Sequence, residues 1–148
     1  MVNETMIKYK KLHPNAIAPK HQNLFAAGAD LYACCDNEIN IAPGDSIAVK
    51  TGIAMEMSND CVGLVFARSG IACKQGLAPA NKVGVVDPDY RGEIIVFLHN
   101  HSNEYRTIHH GDRIAQMVFI PRCYAHFAEV DELSSTDRGE GGFGSTGK

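Results

Sequence analysis

Asn81-Lys-Val-Gly-Val-Val-Asp-Pro-Asp-Tyr-Arg-Gly-Glu-Ile-Ile-Val-Phe-Leu-His-Asn100 is the stretch that decides the fold. Two apolar runs, 83–86 and 94–98, flank a polar insert at 87–92. Proline presets φ for a turn, aspartate tolerates turn geometry and Gly92 permits positive φ, so the stretch predicts a β-hairpin. The insert also gathers two carboxylates, a tyrosine and an arginine. Taken alone, it fits an ordinary turn and a functional loop equally well.

Outside this stretch, short apolar runs with a period of two predict further strands. They are separated by glycine, proline and aspartate, as in the turn Pro43-Gly44-Asp45. The lysine-rich segment 6–12 suits an edge strand with one exposed face. The other strand candidates are 28–33, 39–41, 47–49, 53–57, 62–67 and 113–120. This pattern predicts an all-β fold, of the sandwich, jelly-roll or barrel type.

One helix is predicted, over 71–75, with Ser69 as its N-cap and Gly76 as its end. Arg68, Ser69 and Gly70 would then place a guanidinium, a hydroxyl and free amides together, which suits an oxyanion. A simple capped helix is the competing interpretation.

Gln116 lies in the middle of an apolar strand, and because a buried amide needs partners, we expect it to face a polar cavity.

Composition excludes several classes of protein. The chain has 148 residues, 45% apolar and 21% charged, with a net charge of −3, so it has no basic field that would attract nucleic acid or an acidic membrane. Five cysteines without a C-x-x-C pair suggest neither a disulfide framework nor a zinc site. The N-terminus has no signal-peptide core, and no apolar run approaches 18 residues. We therefore expect a soluble, intracellular protein that is not secreted.

The composition changes at Ser134. Residues 134–148 contain five glycines and a single apolar side chain, Phe143, too little to order a segment on its own. We therefore predict a β domain over 1–133 and a flexible tail over 134–148. A disordered tail or leftover linker is one interpretation. The other is that Arg138 and Phe143 anchor the tail over a bound ligand.

Five ordered segments resemble the motifs of the homotrimeric dUTPase family. They are Ala27-Gly28-Ala29-Asp30-Leu31, Arg68-Ser69-Gly70, Gly84-Val85-Val86-Asp87-Pro88-Asp89-Tyr90-Arg91-Gly92, Gly111-Asp112-Arg113-Ile114-Ala115-Gln116 and Arg138-Gly139-Glu140-Gly141-Gly142-Phe143-Gly144-Ser145-Thr146-Gly147. The resemblance covers the chain from about residue 27 to the C-terminus.

The resemblance implies a jelly-roll-like or distorted β-barrel homotrimer that hydrolyses dUTP to dUMP and pyrophosphate with Mg²⁺. Such an enzyme keeps uracil out of DNA and supplies dUMP for thymidylate synthesis, in the cytoplasm or the nucleus. Active sites are shared between subunits, and the glycine-rich tail closes over the nucleotide. The Mg²⁺ ion is held mainly by the triphosphate and water, in keeping with its reluctance to dehydrate.

The resemblance also assigns roles to residues. Asp87 would orient and deprotonate the attacking water, and Asp30 would support the site. The phosphates would be bound by Arg68, Ser69, Gly70, Gln116 and Arg138. The uracil and deoxyribose would be bound by Asn81, Gly84, Val85 and Tyr90, with Phe143 stacked on the base. Gly144 and Ser145 would also bind the substrate.

Two other functions compete with this one. A dCTP deaminase of the same superfamily needs a catalytic glutamate where this chain has Asp87-Pro88-Asp89. A non-catalytic module that senses nucleotides or regulates a partner would keep the fold. It would have no use for Asp87, Tyr90, Arg138 and Phe143 together.

Overall fold

The computed structural model describes residues 4–142. This part of the chain contains ten β-strands and one short α-helix. In chain order they are β1 (Lys8–Lys11), β2 (Ala29–Tyr32), β3 (Ile39–Ile41), β4 (Ser46–Glu56), β5 (Cys61–Phe66), α1 (Ser69–Gln75), β6 (Leu77–Pro79), β7 (Gly84–Val86), β8 (Glu93–Asn100), β9 (Arg106–Ile108) and β10 (Arg113–Pro121). The prediction of an all-β fold with one short helix is confirmed.

Most strands belong to two four-stranded antiparallel sheets. The first has the order β1-β4-β8-β6 and the second β2-β10-β5-β7, while β3 pairs with β9. Side chains from both sheets meet in one apolar core, which includes Leu31, Val49, Leu98 and Ile114. Burial of this apolar surface holds the layers together, at roughly 25 cal/mol per Å². Within residues 4–142 the sheets do not close into a barrel.

The stretch 81–100 connects the two sheets. Its first strand, β7, pairs with β5 in the second sheet, whereas β8 pairs with β4 and β6 in the first. The predicted hairpin is therefore wrong. Apolar periodicity identifies a strand and its buried face but not its partner, and here each strand finds a different neighbour. The polar insert at 87–92 consequently crosses from one sheet to the other.

Strand β4 contains two segments that the sequence predicts as separate strands. The predicted strands 47–49 and 53–57 merge into one strand of 11 residues that ends at Glu56, and within it Gly52 has a φ of +66°. The register with β8 shifts between Lys50 and Ala54. Glycine adopts positive φ at little cost, so it permits this bulge without ending the strand.

The helix begins differently from the prediction. Arg68 takes the N-cap position with extended backbone, and its side chain makes no capping hydrogen bond. The predicted Ser69 cap is therefore wrong, since Ser69 is the first helical residue. The predicted end at Gly76 is confirmed: its φ is +69°, and its N–H donates to the Ala72 carbonyl.

The C-terminal segment leaves the sheets earlier than the predicted tail begins. Residues 122–140 are all exposed and contain neither strand nor helix. Four large apolar side chains in this segment are exposed: Tyr124, Phe127, Val130 and Leu133. Among residues 4–142, no helix has the length and apolar character needed to cross a membrane.

Candidate functional site

A cleft of about 360 Å³ lies beside the turn that links the two sheets. One side is formed by consecutive residues of β8, 94–97. Five residues predicted from the sequence to bind or act on a ligand also line it: Asn81, Gly84, Val85, Asp87 and Tyr90. The cleft therefore combines apolar walls with a carboxylate and a phenol, as small-ligand sites commonly do.

The turn beside the cleft is held by its own hydrogen bonds. The Tyr90 N–H donates to the Asp87 carbonyl at 3.1 Å. The Arg91 guanidinium donates to the Pro88 carbonyl at 2.7 Å and to the Tyr90 carbonyl at 3.2 Å. These bonds fix the backbone on which the exposed Asp87 carboxylate stands. That carboxylate is consequently open to water and to a ligand in the cleft.

A second group of predicted site residues lies in the second sheet. Gln116 of β10 pairs with Asp30 of β2 on one side and with Phe66 of β5 on the other. Arg68 follows β5 by two residues, so the pairing places all these positions at one end of the sheet. Ser69 and Gly70 continue from Arg68 and are exposed at the start of α1.

Asp30 is the centre of this group. It is 5% exposed, and its carboxylate accepts hydrogen bonds from Arg68 Nε at 2.7 Å and Arg113 Nη1 at 3.3 Å. The Gln22 amide donates to it as well, at 2.9 Å. A buried carboxylate requires such charged and polar partners. Two guanidinium groups around one carboxylate leave a local excess of positive charge.

Gln116 makes a contact within the chain. Its amide Nε2 donates to the Ala67 carbonyl at 2.9 Å, next to Arg68 in the sequence. A Cβ atom on Gly28 would lie 2.8 Å from the Gln116 Oε1 atom. The side chain is therefore confined between Gly28 and residue 67, close to the arginines.

Within one chain, the Asp87 and Arg68 groups lie at opposite ends of the β5–β7 pair. Val65 pairs with Gly84, and Gly63 pairs with Val86. Asp87 thus leaves β7 next to the beginning of β5, whereas Arg68 follows its end. At about 3.3 Å per strand residue, this offset is roughly 15 to 20 Å.

The tail contributes one described side chain to the predicted set. Arg138 is exposed, and its Nε donates to the Gly141 carbonyl at 2.8 Å. The other tail residues in the prediction, Phe143, Gly144 and Ser145, lie outside the described residues.

Sequence reasoning did not single out three residues that organise these groups. Arg113 and Gln22 bind Asp30, and Glu93 lines the cleft. Arg113 could have been noticed as a charge at the start of an apolar strand. Gln22 lies in an exposed loop with no distinguishing pattern, and Glu93 resembles an ordinary charged residue after a turn.

Within residues 4–142, no group of three or more histidine, cysteine or acidic side chains is arranged to hold a metal ion. Asp30 already accepts three hydrogen bonds, so its carboxylate is occupied by protein donors. The Asp87 carboxylate is exposed and able to meet a hydrated cation. This donor set fits an ion held mostly by its ligand and water, since Mg²⁺ keeps several of its waters.

Fold and site together define an all-β protein with a partly apolar cleft and a separate cationic group for an anion. The family model described as dUTPase matches residues 14–147. The chain therefore belongs to the dUTPase family.

Curated and solved relatives agree with this assignment. The chain is 52% identical over 130 residues to the deoxyuridine 5'-triphosphate nucleotidohydrolase of Desulfitobacterium hafniense strain DCB-2, covering 87% of this chain and 86% of the relative. A mutant dUTPase of Staphylococcus bacteriophage 80alpha, solved with dUpNHpp, is 25% identical, with a TM-score of 0.88 and coverage of 97% and 99%. A mutant dUTPase of S. aureus phage phi11, solved with a coordinated structural Mg(II) ion, has a TM-score of 0.80 at 22% identity. It covers 88% of this chain and 99% of that one.

Proposed function

We propose that this chain is a dUTP diphosphatase, which hydrolyses dUTP to dUMP and pyrophosphate. The observation that carries the proposal is the cleft of about 360 Å³, which collects Asn81, Gly84, Asp87 and Tyr90 in a chain of the dUTPase family. The reaction removes dUTP, so it keeps uracil out of DNA and provides dUMP for thymidylate synthesis. We place the activity in the cytoplasm, or in the nucleus of a cell that has one.

In this mechanism Asp87 orients a water molecule in line with the α-phosphorus and accepts its proton. The water oxygen bonds to the α-phosphorus, and the bond from that phosphorus to the oxygen bridging to the β-phosphate breaks. Pyrophosphate leaves and dUMP remains. The exposed position of Asp87 on a turn braced by Arg91 supports this role. Positioning of the water and neutralisation of phosphate charge supply much of the acceleration.

The phosphates are bound by the group around Arg68. Asp30 holds the Arg68 side chain at 2.7 Å, so the guanidinium is oriented before the ligand arrives. The exposed Ser69 and Gly70 offer a hydroxyl and backbone amides beside it, and the Gln116 amide lies next to residue 67. Hydrogen bonds from charged donors to phosphate are about twice as strong as neutral ones.

Selection of the base and sugar takes place in the cleft. Backbone groups between residues 84 and 90, with Asn81, read the edge of uracil, and the close walls leave no room for a thymine methyl group. Tyr90 lies beneath the deoxyribose, where a 2′-hydroxyl would collide with its ring. From the tail, Phe143 stacks on the base, a type of contact worth about 1–3 kcal/mol. Gly144 and Ser145 complete the closed tail, and Arg138 meets the terminal phosphates.

Mg²⁺ is the cofactor in this proposal. When bound, the ion would be held mainly by the triphosphate and water, within reach of the exposed Asp87 carboxylate, and would offset the negative charge of the phosphates. The mutant phage phi11 dUTPase solved with a structural Mg(II) ion supports the choice of metal.

The active enzyme is a homotrimer whose sites are shared between subunits. The offset of Asp87 from Arg68 along one chain supports this arrangement, because a triphosphate nucleotide must reach both groups. The exposed apolar side chains of segment 122–133 support it too, since Phe127 and Leu133 are almost fully exposed within the described part of the chain.

The decisive experiment compares Asp87→Asn with its neighbour Asp89→Asn, a matched control in the same exposed turn. Pyrophosphate release is measured with Mg²⁺ from dUTP, dTTP, dCTP and UTP. We expect wild type and Asp89→Asn to turn over dUTP alone, and Asp87→Asn to lose at least roughly a hundredfold in kcat. Asp87→Asn should still bind dUpNHpp by calorimetry. An unchanged kcat removes Asp87 from the mechanism, and ammonia release from dCTP replaces the proposal with a deaminase.

A further inference from the structure

The bulge in β4 leaves the Gly52 backbone N–H to find a side-chain partner. Lys50 pairs with Ile95, and the next paired residue, Ala54, lies opposite Glu93. Three residues of β4 are thus accommodated opposite a single residue of β8. At the centre of the bulge, Gly52 has a φ of +66°. A backbone N–H that is buried here must find a partner outside the ladder.

The Glu93 carboxylate supplies that partner. Its Oε1 atom accepts a hydrogen bond from the Gly52 N–H at 2.8 Å. Thr51, which is 1% exposed, secures the adjoining residue by donating to the Ile94 carbonyl at 2.6 Å. The start of β8 is therefore fastened to the bulge by two side-chain hydrogen bonds.

Burial and the nearby Glu93 carboxylate both raise the pKa of the Cys34 thiol, in that order of importance.

The same residue also fixes the Tyr90 ring. The Tyr90 hydroxyl donates to the Glu93 main-chain carbonyl at 3.0 Å. Gly92 lies under the ring, where any Cβ atom would collide with it. Glu93 thus touches Tyr90 through its backbone and β4 through its side chain, and both Glu93 and Tyr90 line the cleft.

We infer that Glu93 is a positioning residue, which acts through Tyr90 to set the shape of the cleft where the sugar binds. The inference rests on the proposed function, because it takes Tyr90 to be the residue that excludes a 2′-hydroxyl. The Glu93 carboxylate binds the Gly52 N–H and so holds residue 93 in place. The main-chain carbonyl of Glu93 in turn accepts the hydrogen bond from the Tyr90 hydroxyl. Loss of the anchor frees the ring to move and admits the ribose of UTP.

The test uses Glu93→Ala, Glu93→Gln, Tyr90→Phe and the double variant Glu93→Ala/Tyr90→Phe. Glu56→Gln is the matched control, because Glu56 is an exposed carboxylate on β4 that pairs with Lys8. For each protein kcat and KM are measured with dUTP and with UTP. We expect Glu93→Ala to reduce the preference for dUTP by roughly tenfold or more. Glu93→Gln, which keeps an acceptor for Gly52, should stay close to wild type.

The double variant shows whether the effect passes through Tyr90. Once Tyr90→Phe has removed the hydroxyl, adding Glu93→Ala should change the preference little further. An equal effect of Glu93→Ala in both backgrounds overturns the inference. So does a Glu93→Gln variant that behaves like Glu93→Ala.

A readout without substrate separates this inference from the proposed function. The protein is labelled with fluorotyrosine, and the Tyr90 signal among the five tyrosines is assigned by its loss in Tyr90→Phe. Glu93→Ala should shift or broaden that ¹⁹F signal, whereas Glu93→Gln and Glu56→Gln should not. An unchanged signal in Glu93→Ala refutes the inference. Absence of dUTP turnover by wild type would instead refute the proposed function and leave this result standing.

Discussion

Asp30 illustrates how one buried side chain can hold the polar groups of a candidate binding site in place. Its carboxylate is almost fully buried and accepts hydrogen bonds from Arg68, Arg113 and Gln22. The side chains of Arg68 and Arg113 are 24% and 45% exposed, so both guanidinium side chains still contact solvent. A buried anion that holds two partly exposed cations prepares them for a negatively charged ligand at little further entropic cost.

We predict that Asp30→Ala weakens both stability and activity. Removing one partner of a buried ion pair costs about 3–5 kcal/mol. Because the two guanidiniums here keep contact with water, we expect a smaller loss, about 2 kcal/mol in the free energy of unfolding. The kcat/KM for dUTP should fall as Arg68 loses its orientation. Urea unfolding and steady-state kinetics measure the two effects.

Asp45→Ala is the control for this change, since Asp45 is exposed in the turn before β4. It should leave the urea midpoint and kcat/KM near the wild-type values. If Asp30→Ala is as stable and active as Asp45→Ala, the carboxylate is not what holds the arginines in place.

At the scale of the element, most strands could be predicted, but the short strands β6 and β9 were missed, and the neighbours of the strands could not be predicted. Apolar residues located β10 to within one residue and β8 to within two, and the lysines placed β1 at a sheet edge. The partners of β7 and β8 remained hidden, because a strand's period reveals which face is buried but not which strand lies beside it. The hairpin prediction failed for this reason.

The candidate site shows the same limit. The polar insert at 87–92 could be recognised as a candidate place for chemistry because turns between strands often carry functional side chains. The partners of Asp30 could not, since Arg68 and Arg113 are 38 and 83 residues away. The Ser69 cap failed because the Arg68 side chain turns to Asp30 and its backbone starts the helix. Such long-range contacts have no local signature.

The C-terminal tail is the element that we expect to serve activity and not stability. In its described part, the Arg138 side chain bonds only within the tail, to Gly141, and residues 134–140 are exposed. Deletion of residues 134–148 should therefore leave the melting temperature within a degree or two. The kcat/KM for dUTP should fall by at least roughly tenfold, because the tail would no longer close over the nucleotide.

A full-length chain with residues 134–148 in scrambled order controls for length and composition. It should melt like wild type and be as impaired as the deletion variant. A large drop in melting temperature on deletion would show that the tail belongs to the folded body.

At the scale of the whole molecule, the separation between Asp87 and Arg68 matters for the proposed active site, which needs both residues. The two residues lie at opposite ends of the β5–β7 pair, and segment 122–133 exposes apolar side chains that residues 4–142 of the same chain do not cover. A homotrimer would account for the separation if Asp87 of one subunit faces Arg68 of another, and for the exposed apolar side chains if they pack against a neighbouring subunit. Light scattering should then give the mass of three copies of the 16.1 kDa chain.

Subunit complementation tests this arrangement directly. Asp87→Asn and Arg68→Gln should each be inactive as pure proteins, while their melting temperatures show that they fold. If the two variants are produced together with different tags, random assembly gives sites in which an intact Asp87 meets an intact Arg68. About a quarter of the sites should then be active, because each residue has an even chance of being intact. If the mixed trimers have no activity, each chain supplies both residues to its own site, and the shared site is excluded.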